Sequence, residues 1–137
     1  GVVDDRGEVL RRPGGRIAIA DPKLAPYGTA AMQSMRKLGV AETLAPRLVQ
    51  GENIGQAYQF TSTGNAQLGF VALSQVMAGG RISRGSWWIV PADLHAPIRQ
   101  DAVLLAPGKD APAARALLAY LRGDTARAIL RAHGYET

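Results

Sequence analysis

The chain has 137 residues, 47% of them hydrophobic and 20% charged, a balance that supports one packed domain and excludes a disordered composition. No run of eighteen apolar residues occurs, so nothing in it reads as a membrane span, and without cysteine there is no disulfide framework and no thiolate metal site. The net charge of +5 comes mostly from arginines that are scattered rather than blocked, which reads as a solvated surface.

In chain order, the start Gly1-Val2-Val3-Asp4-Asp5-Arg6 lacks the basic end and apolar run of a secretion signal, and residues 1–15 form a turn-rich lead-in. Arg16-Ile17-Ala18-Ile19-Ala20 reads as a short strand closed by Asp21-Pro22. Pro26-Tyr27-Gly28 opens a helix with Ala30, Ala31, Met32, Met35 and Leu38 at helical spacing and Gly39 as its stop. Leu44 to Val49 reads as a second strand ending near Gln50-Gly51. Asn53 caps the next helix, which turns Ile54, Ala57, Tyr58 and Phe60 inward and ends at Thr63-Gly64-Asn65. Leu68 to Ala72 is a third strand, followed by a short helix capped by Ser74 and stopped by Gly79-Gly80. Trp87 to Pro91 and Asp101 to Leu105 read as the fourth and fifth strands. The spacing predicts two closing helices. One spans Ala111 to Arg122, with Ala114, Leu117, Leu118 and Leu121 on one face; the other is capped by Asp124, with Ile129 and Leu130 inside. Strands alternating with helices imply a layered α/β fold.

No catalytic constellation emerges, and the chain is not read as an enzyme. His95 and His133 stand without metal-ligand spacing, and Ser62, Ser74, Ser83 and Ser86 lack a nucleophile-elbow setting. Asp4, Asp5 and Asp21 read as solvated loop acids. Trp87 and Trp88 sit on opposite faces if the segment is extended, one toward the core and one toward a surface. Arg115, Arg122, Arg127 and Arg131 form the wet face of the last two helices rather than a nucleic-acid stripe.

Several stretches resemble one family. They are Ile17 to Pro22 running into Ala25-Pro26-Tyr27-Gly28, Gly51-Glu52-Asn53-Ile54-Gly55-Gln56-Ala57, Gly64 to Ser74, Trp88 to Asp93, and the closing run Ala126 to Tyr135. Together they resemble the periplasmic molybdate-binding proteins of bacterial ABC importers. The resemblance implies a type II periplasmic-binding-protein-like α/β fold in three layers, α/β/α. Residues 1–92 would be the second lobe, and 93–137 a hinge strand and C-terminal helices returning to a first lobe not contained in this sequence. It implies molybdate or tungstate as ligand, no cofactor, an inner-membrane ABC permease as partner, no nucleic acid and a periplasmic place of work. The whole protein is expected to be a monomer, and this chain, with two helix faces uncovered, a dimer or segment-swapped pair. The alternative is an oxyanion-sensing effector domain of a transcriptional regulator.

A tetrahedral dianion in a dry site must exchange its hydration for inward-pointing donors. Helix openings supply them, because their first N–H groups are unpaired and the helix dipole is positive there. The resemblance places the ligand on the backbone N–H groups of Tyr27 and Ile54, with a third contact at Ala72 and support from Pro26, Gly28 and Asn53. Some relatives carry a Tyr hydroxyl where Ala72 stands, and Tyr27 is expected to compensate. No residue is expected to ligate a metal directly; molybdenum would arrive inside its oxyanion. Taken alone, Pro26-Tyr27-Gly28 is also an ordinary strand-to-helix turn, and Gly28 and Gly55 serve either close backbone approach or mere smallness.

Overall fold

The computed structural model describes Val3, residues 6–82 and residues 85–137. The loop acids Asp4 and Asp5 and the serine Ser83 lie outside the described residues. Three parallel strands, β1 (Ile17–Ala20), β2 (Leu48–Gly51) and β3 (Leu68–Gly69), form one sheet in the order β2-β1-β3. Ile17 pairs with Leu48 on one side and Leu68 on the other, so β1 is central.

All four residues of β1 are buried, as a strand covered on both faces requires. Alternation sends Ile17 and Ile19 to one face, where they meet Ala31, Met35, Val40, Leu44 and Leu10. Ala18 faces the other side and meets Ala57 and Ala66, with Phe60 and Ile54 beside them. The first layer is α1 (Pro26–Lys37) followed by the short α2 (Ala41–Leu44); the opposite layer is α3 (Ile54–Ser62). The expected α/β/α arrangement is thus present around β1. Pro26 starts α1 where its missing N–H removes nothing, and buried Ser34 returns its hydroxyl to the Ala30 carbonyl at 2.9 Å.

The stretch read as a strand from Leu44 is first helical: Leu44 ends α2, Ala45–Arg47 is a 3-10 turn that accepts Pro46, and the strand begins at Leu48. After β3 the chain stays extended to α4 (Leu73–Val76), whose cap is Ala72 rather than Ser74. Gly79-Gly80 does not merely stop a helix. It is the two-residue turn of a hairpin between β4 (Met77–Ala78) and β5 (Arg81–Ile82), with φ values of 58 and 80 that a primed hairpin turn demands.

The fourth and fifth strands do not form. Residues 87–91 and 101–105 are apolar enough, but among the described residues no neighbouring strand offers them a ladder, and a strand exists only in pairing. Trp88 packs against the core on the α1 side while Trp87 is exposed, so the two rings do part company as expected of extended backbone. The closing helices are α5 (Pro112–Leu121) and α6 (Asp124–Ala132). Asp124 is the first residue of α6; Gly123 is its cap. Their apolar faces are not inside: Leu117 is 58% and Ile129 51% exposed, and only Ala126 is buried. Residues 93–137 touch the sheet unit at a few points. Ala96 N–H donates to Gln33 Oε1, Lys37 Nζ to the Asp93 carbonyl, and Gly80 N–H to the Ala132 carbonyl.

Candidate functional site

Parallel strands deliver every strand-to-helix connection to one edge of the sheet. From β1 the chain steps to β2, then returns past β1 to β3, so the strand order reverses about β1. Ligands of open α/β sheets bind beyond the strand ends at such reversals. The openings of α1, α3 and α4, and with them Tyr27, Ile54 and Ala72, all lie at this edge. Asp21 N–H donates to the Gly51 carbonyl at 2.7 Å, which ties the loop before α1 to the end of β2.

Accounting for the first-turn amides isolates the available donors. At α1, Pro26 has no N–H, and Gly28 and Thr29 N–H both donate to the Ala25 carbonyl. The Tyr27 N–H is left without an acceptor among the described residues. At α3, Asn53 Oδ1 accepts from Gln56 N–H at 2.9 Å and the Asn53 carbonyl from Ala57 N–H. That leaves the Ile54 and Gly55 N–H groups at the open end. Asn53 is therefore the cap it was expected to be. Gln56 Oε1 in turn takes the Glu52 N–H, which holds the approach to the cap.

Gly28 resolves to close approach: it is buried, and a Cβ there would collide with the Ala20 carbonyl oxygen, so only glycine lets α1 sit this near the end of β1. At Gly55 no backbone approaches closely; a Cβ would press only on Asn53 Oδ1, the cap oxygen, at 3.1 Å, so a small residue there spares the cap. Pro26 fixes the first turn, as expected.

Ala72 is brought to the same edge but cannot serve as a donor. Its methyl has none, and its N–H already donates to Gln75 Oε1 at 3.0 Å. Ala72 and Tyr27 both line a hollow of about 710 Å³ beside β3, together with Phe70, Leu73 and Trp88; Ile54 is not part of that lining. Ile54 joins through Gln75, whose Nε2 donates to the Ile54 carbonyl at 3.1 Å.

The Tyr27 phenol faces the tail. Gln100 Nε2 donates to its hydroxyl at 3.3 Å, and Tyr135 lies near enough to influence its charge. Burial, then the Tyr135 phenol, push the Tyr27 pKa above its usual value, while the Gln100 bond opposes them. Tyr135 itself donates to Ser74 Oγ at 3.2 Å, in the first turn of α4. Gln75, Gln100 and Tyr135 escape sequence reasoning because their contacts span 21, 73 and 61 positions. The other candidates settle locally: His95 Nδ1 faces the Ala96 carbonyl, His133 Nδ1 the Ile129 carbonyl, and Asp21 Oδ1 accepts the Lys23 N–H within its own turn. Arg115 and Arg131 bond the Lys109 carbonyl and the Thr137 hydroxyl on an exposed surface.

Known proteins resemble this chain along nearly its whole length. Residues 3–136 match the model of the family described as bacterial extracellular solute-binding protein. The molybdate-binding protein ModA of Azotobacter vinelandii is 54% identical over 136 residues, covering 98% of this chain and 54% of that protein. Its Rhodobacter capsulatus counterpart is 54% identical over 135 residues, with 98% and 52% covered. The solved structure of the A. vinelandii periplasmic molybdate-binding protein superposes with a TM-score of 0.91 at 37% identity, over 100% of this chain and 61% of the other. This chain thus spans about half the length of the curated relatives it matches.

Proposed function

This chain belongs to the bacterial extracellular solute-binding protein family, and from that premise we propose that it is part of a molybdate-capturing component of an ABC importer. The observation that carries the reading is the set of spare main-chain donors at Tyr27, Ile54 and Gly55, on two helix openings at one sheet edge. Such donors are uncharged, so they bind a dianion without a counter-ion that would lock it in place, and the dipoles of α1 and α3 add a favourable field. Tungstate, with the same charge and shape, is the second ligand of this site. Sulfate has shorter bonds and leaves donors overstretched, which is the basis of discrimination.

On this reading residues 1–92 are one lobe of a two-lobed protein, and residues 93–137 run back toward the other. The extensive exposed apolar surface on the tail supports that division. The work is done outside the cytoplasm, in the periplasm, and the cargo passes to a membrane permease. A cleft that draws donors from two lobes binds weakly through one, so the test must register weak binding. Adding sodium molybdate to the isotopically labelled chain is expected to shift the Tyr27 and Ile54 amide resonances together. Ile54→Pro removes an orphan N–H, and part of the apolar side chain beside Ala57, at a position where proline suits a helix, and Asn53 is already extended, as a residue before proline must be. That variant should stay folded, with a modest loss of thermal stability, and lose about tenfold or more in affinity, the scale of one charge-assisted hydrogen bond; Ile54→Ala, which trims the side chain but keeps the N–H, should bind as the parent does. Amides at 27 and 54 that stay still at saturating molybdate would overturn the proposal.

A further inference from the structure

Resting on the capture reading, we infer that Gln75 is a positioning residue that sets the geometry of the anion site. Its single carboxamide joins two of the connections at the sheet edge. Oε1 accepts from the Ala72 N–H at 3.0 Å, and Nε2 donates to the Ile54 carbonyl at 3.1 Å. Gln75 N–H also donates to the Ala72 carbonyl at 3.0 Å, so α4 and its side chain are anchored as one unit.

The consequence follows from peptide planarity. The Ile54 carbonyl belongs to the same rigid plane as the Gly55 N–H, and in a trans peptide the two point in opposite directions. Holding the carbonyl from behind therefore aims the Gly55 N–H out of the helix opening. The N–H end of this plane has no helical acceptor, as in any first turn, so the plane is held only through its carbonyl end. A carboxamide is suited to the task because it offers one acceptor and one donor side by side without charge. A glutamate would keep the bond to the Ala72 N–H but could not donate to Ile54, and it would set a negative charge beside a dianion.

The direction of the Gly55 donor, and hence the fit of an oxyanion at the α3 opening, then depends on Gln75. The experiment compares the wild-type chain with Gln75→Leu and Gln75→Glu by amide resonance titration with sodium molybdate and, separately, sodium sulfate. In Gln75→Leu we expect the Tyr27 response to persist, the Gly55 response to shrink, molybdate affinity to fall about tenfold, and the molybdate-to-sulfate ratio to move toward one. In Gln75→Glu, binding of both anions should be lost while the Ala72 amide stays protected from exchange. A purely structural Gln75 would lower thermal stability and weaken both anions in equal proportion, and an unchanged ratio in Gln75→Leu overturns the inference. Should Gln75→Leu fail to fold, Gln75→Glu decides, because it retains the Ala72 bond; undiminished molybdate binding there overturns it equally. A wild-type chain that shows no molybdate response at Tyr27 or Ile54 removes the capture reading itself, an outcome distinct from either variant result.

Discussion

Tyr27 carries two donors that behave differently toward pH. Its main-chain N–H is indifferent to it. Its phenol, half-buried between Gln100 and Tyr135, ionises later than an ordinary tyrosine because burial and the neighbouring phenol disfavour the phenolate. The folded chain therefore holds this proton more tightly than the unfolded chain, whose tyrosines ionise near about 10. Stability from this group is intact below that value and is lost as pH rises through the higher folded pKa. We expect one of the four tyrosines to titrate late in phenolate absorbance, and Tyr27→Phe to remove that late component and soften the alkaline loss of stability. A Tyr27 that titrates with the rest shows that the phenol is not sheltered. At this scale the sequence was informative where chemistry is local. The spare N–H groups of Tyr27 and Ile54 follow from the helix openings that Pro26 and Asn53 announce, and the Asn53 cap from its own chemistry, whereas their choice as ligand contacts came from the family resemblance. The state of the Ala72 N–H was not legible, because it depends on a glutamine three residues on whose other end is tied to α3.

Among elements, those with their own start and stop were legible and those needing a partner were not. α1 has Pro26 at its opening and α3 has Asn53, and both formed close to where spacing put them. Residues 87–91 and 101–105 have the apolar character of strands, yet a strand needs a ladder and none is offered to them among the described residues. Gly79-Gly80 read as a helix stop because two positive-φ glycines look the same in sequence whether they end a helix or turn a hairpin. The cap of α3 can be tested directly. Asn53→Ala removes the acceptor for Gln56 N–H and should cost about 1 kcal/mol in urea denaturation, while Asn53→Gly should cost only a few tenths. A loss for glycine as large as for alanine would show that Asn53 acts through something other than its cap. Because Ile54 and Gly55 are the next two residues, fraying there should also weaken anion binding.

For the whole molecule the tension is between apolar surface and charge. Val103 is 78% and Leu105 67% exposed, and Leu117, Tyr120 and Ile129 each show half or more of their surface. Apolar area on this scale, carried by several segments of one tail, tends to find a cover. The chain's net charge of +5 opposes the approach of a second copy, and that repulsion is screened as salt shortens the Debye length to about 10 Å at 0.1 M. Self-association of this chain is therefore expected to strengthen with added salt, the reverse of what an ion-pair interface would do. Sedimentation velocity across a concentration series at two ionic strengths measures this. Leu117→Glu combined with Ile129→Glu should return the chain to a monomer at both, with helix content by circular dichroism unchanged because both positions are already exposed in their helices. A wild-type chain that remains monomeric at the highest concentration and salt would mean that these side chains are too dispersed to bring two copies together.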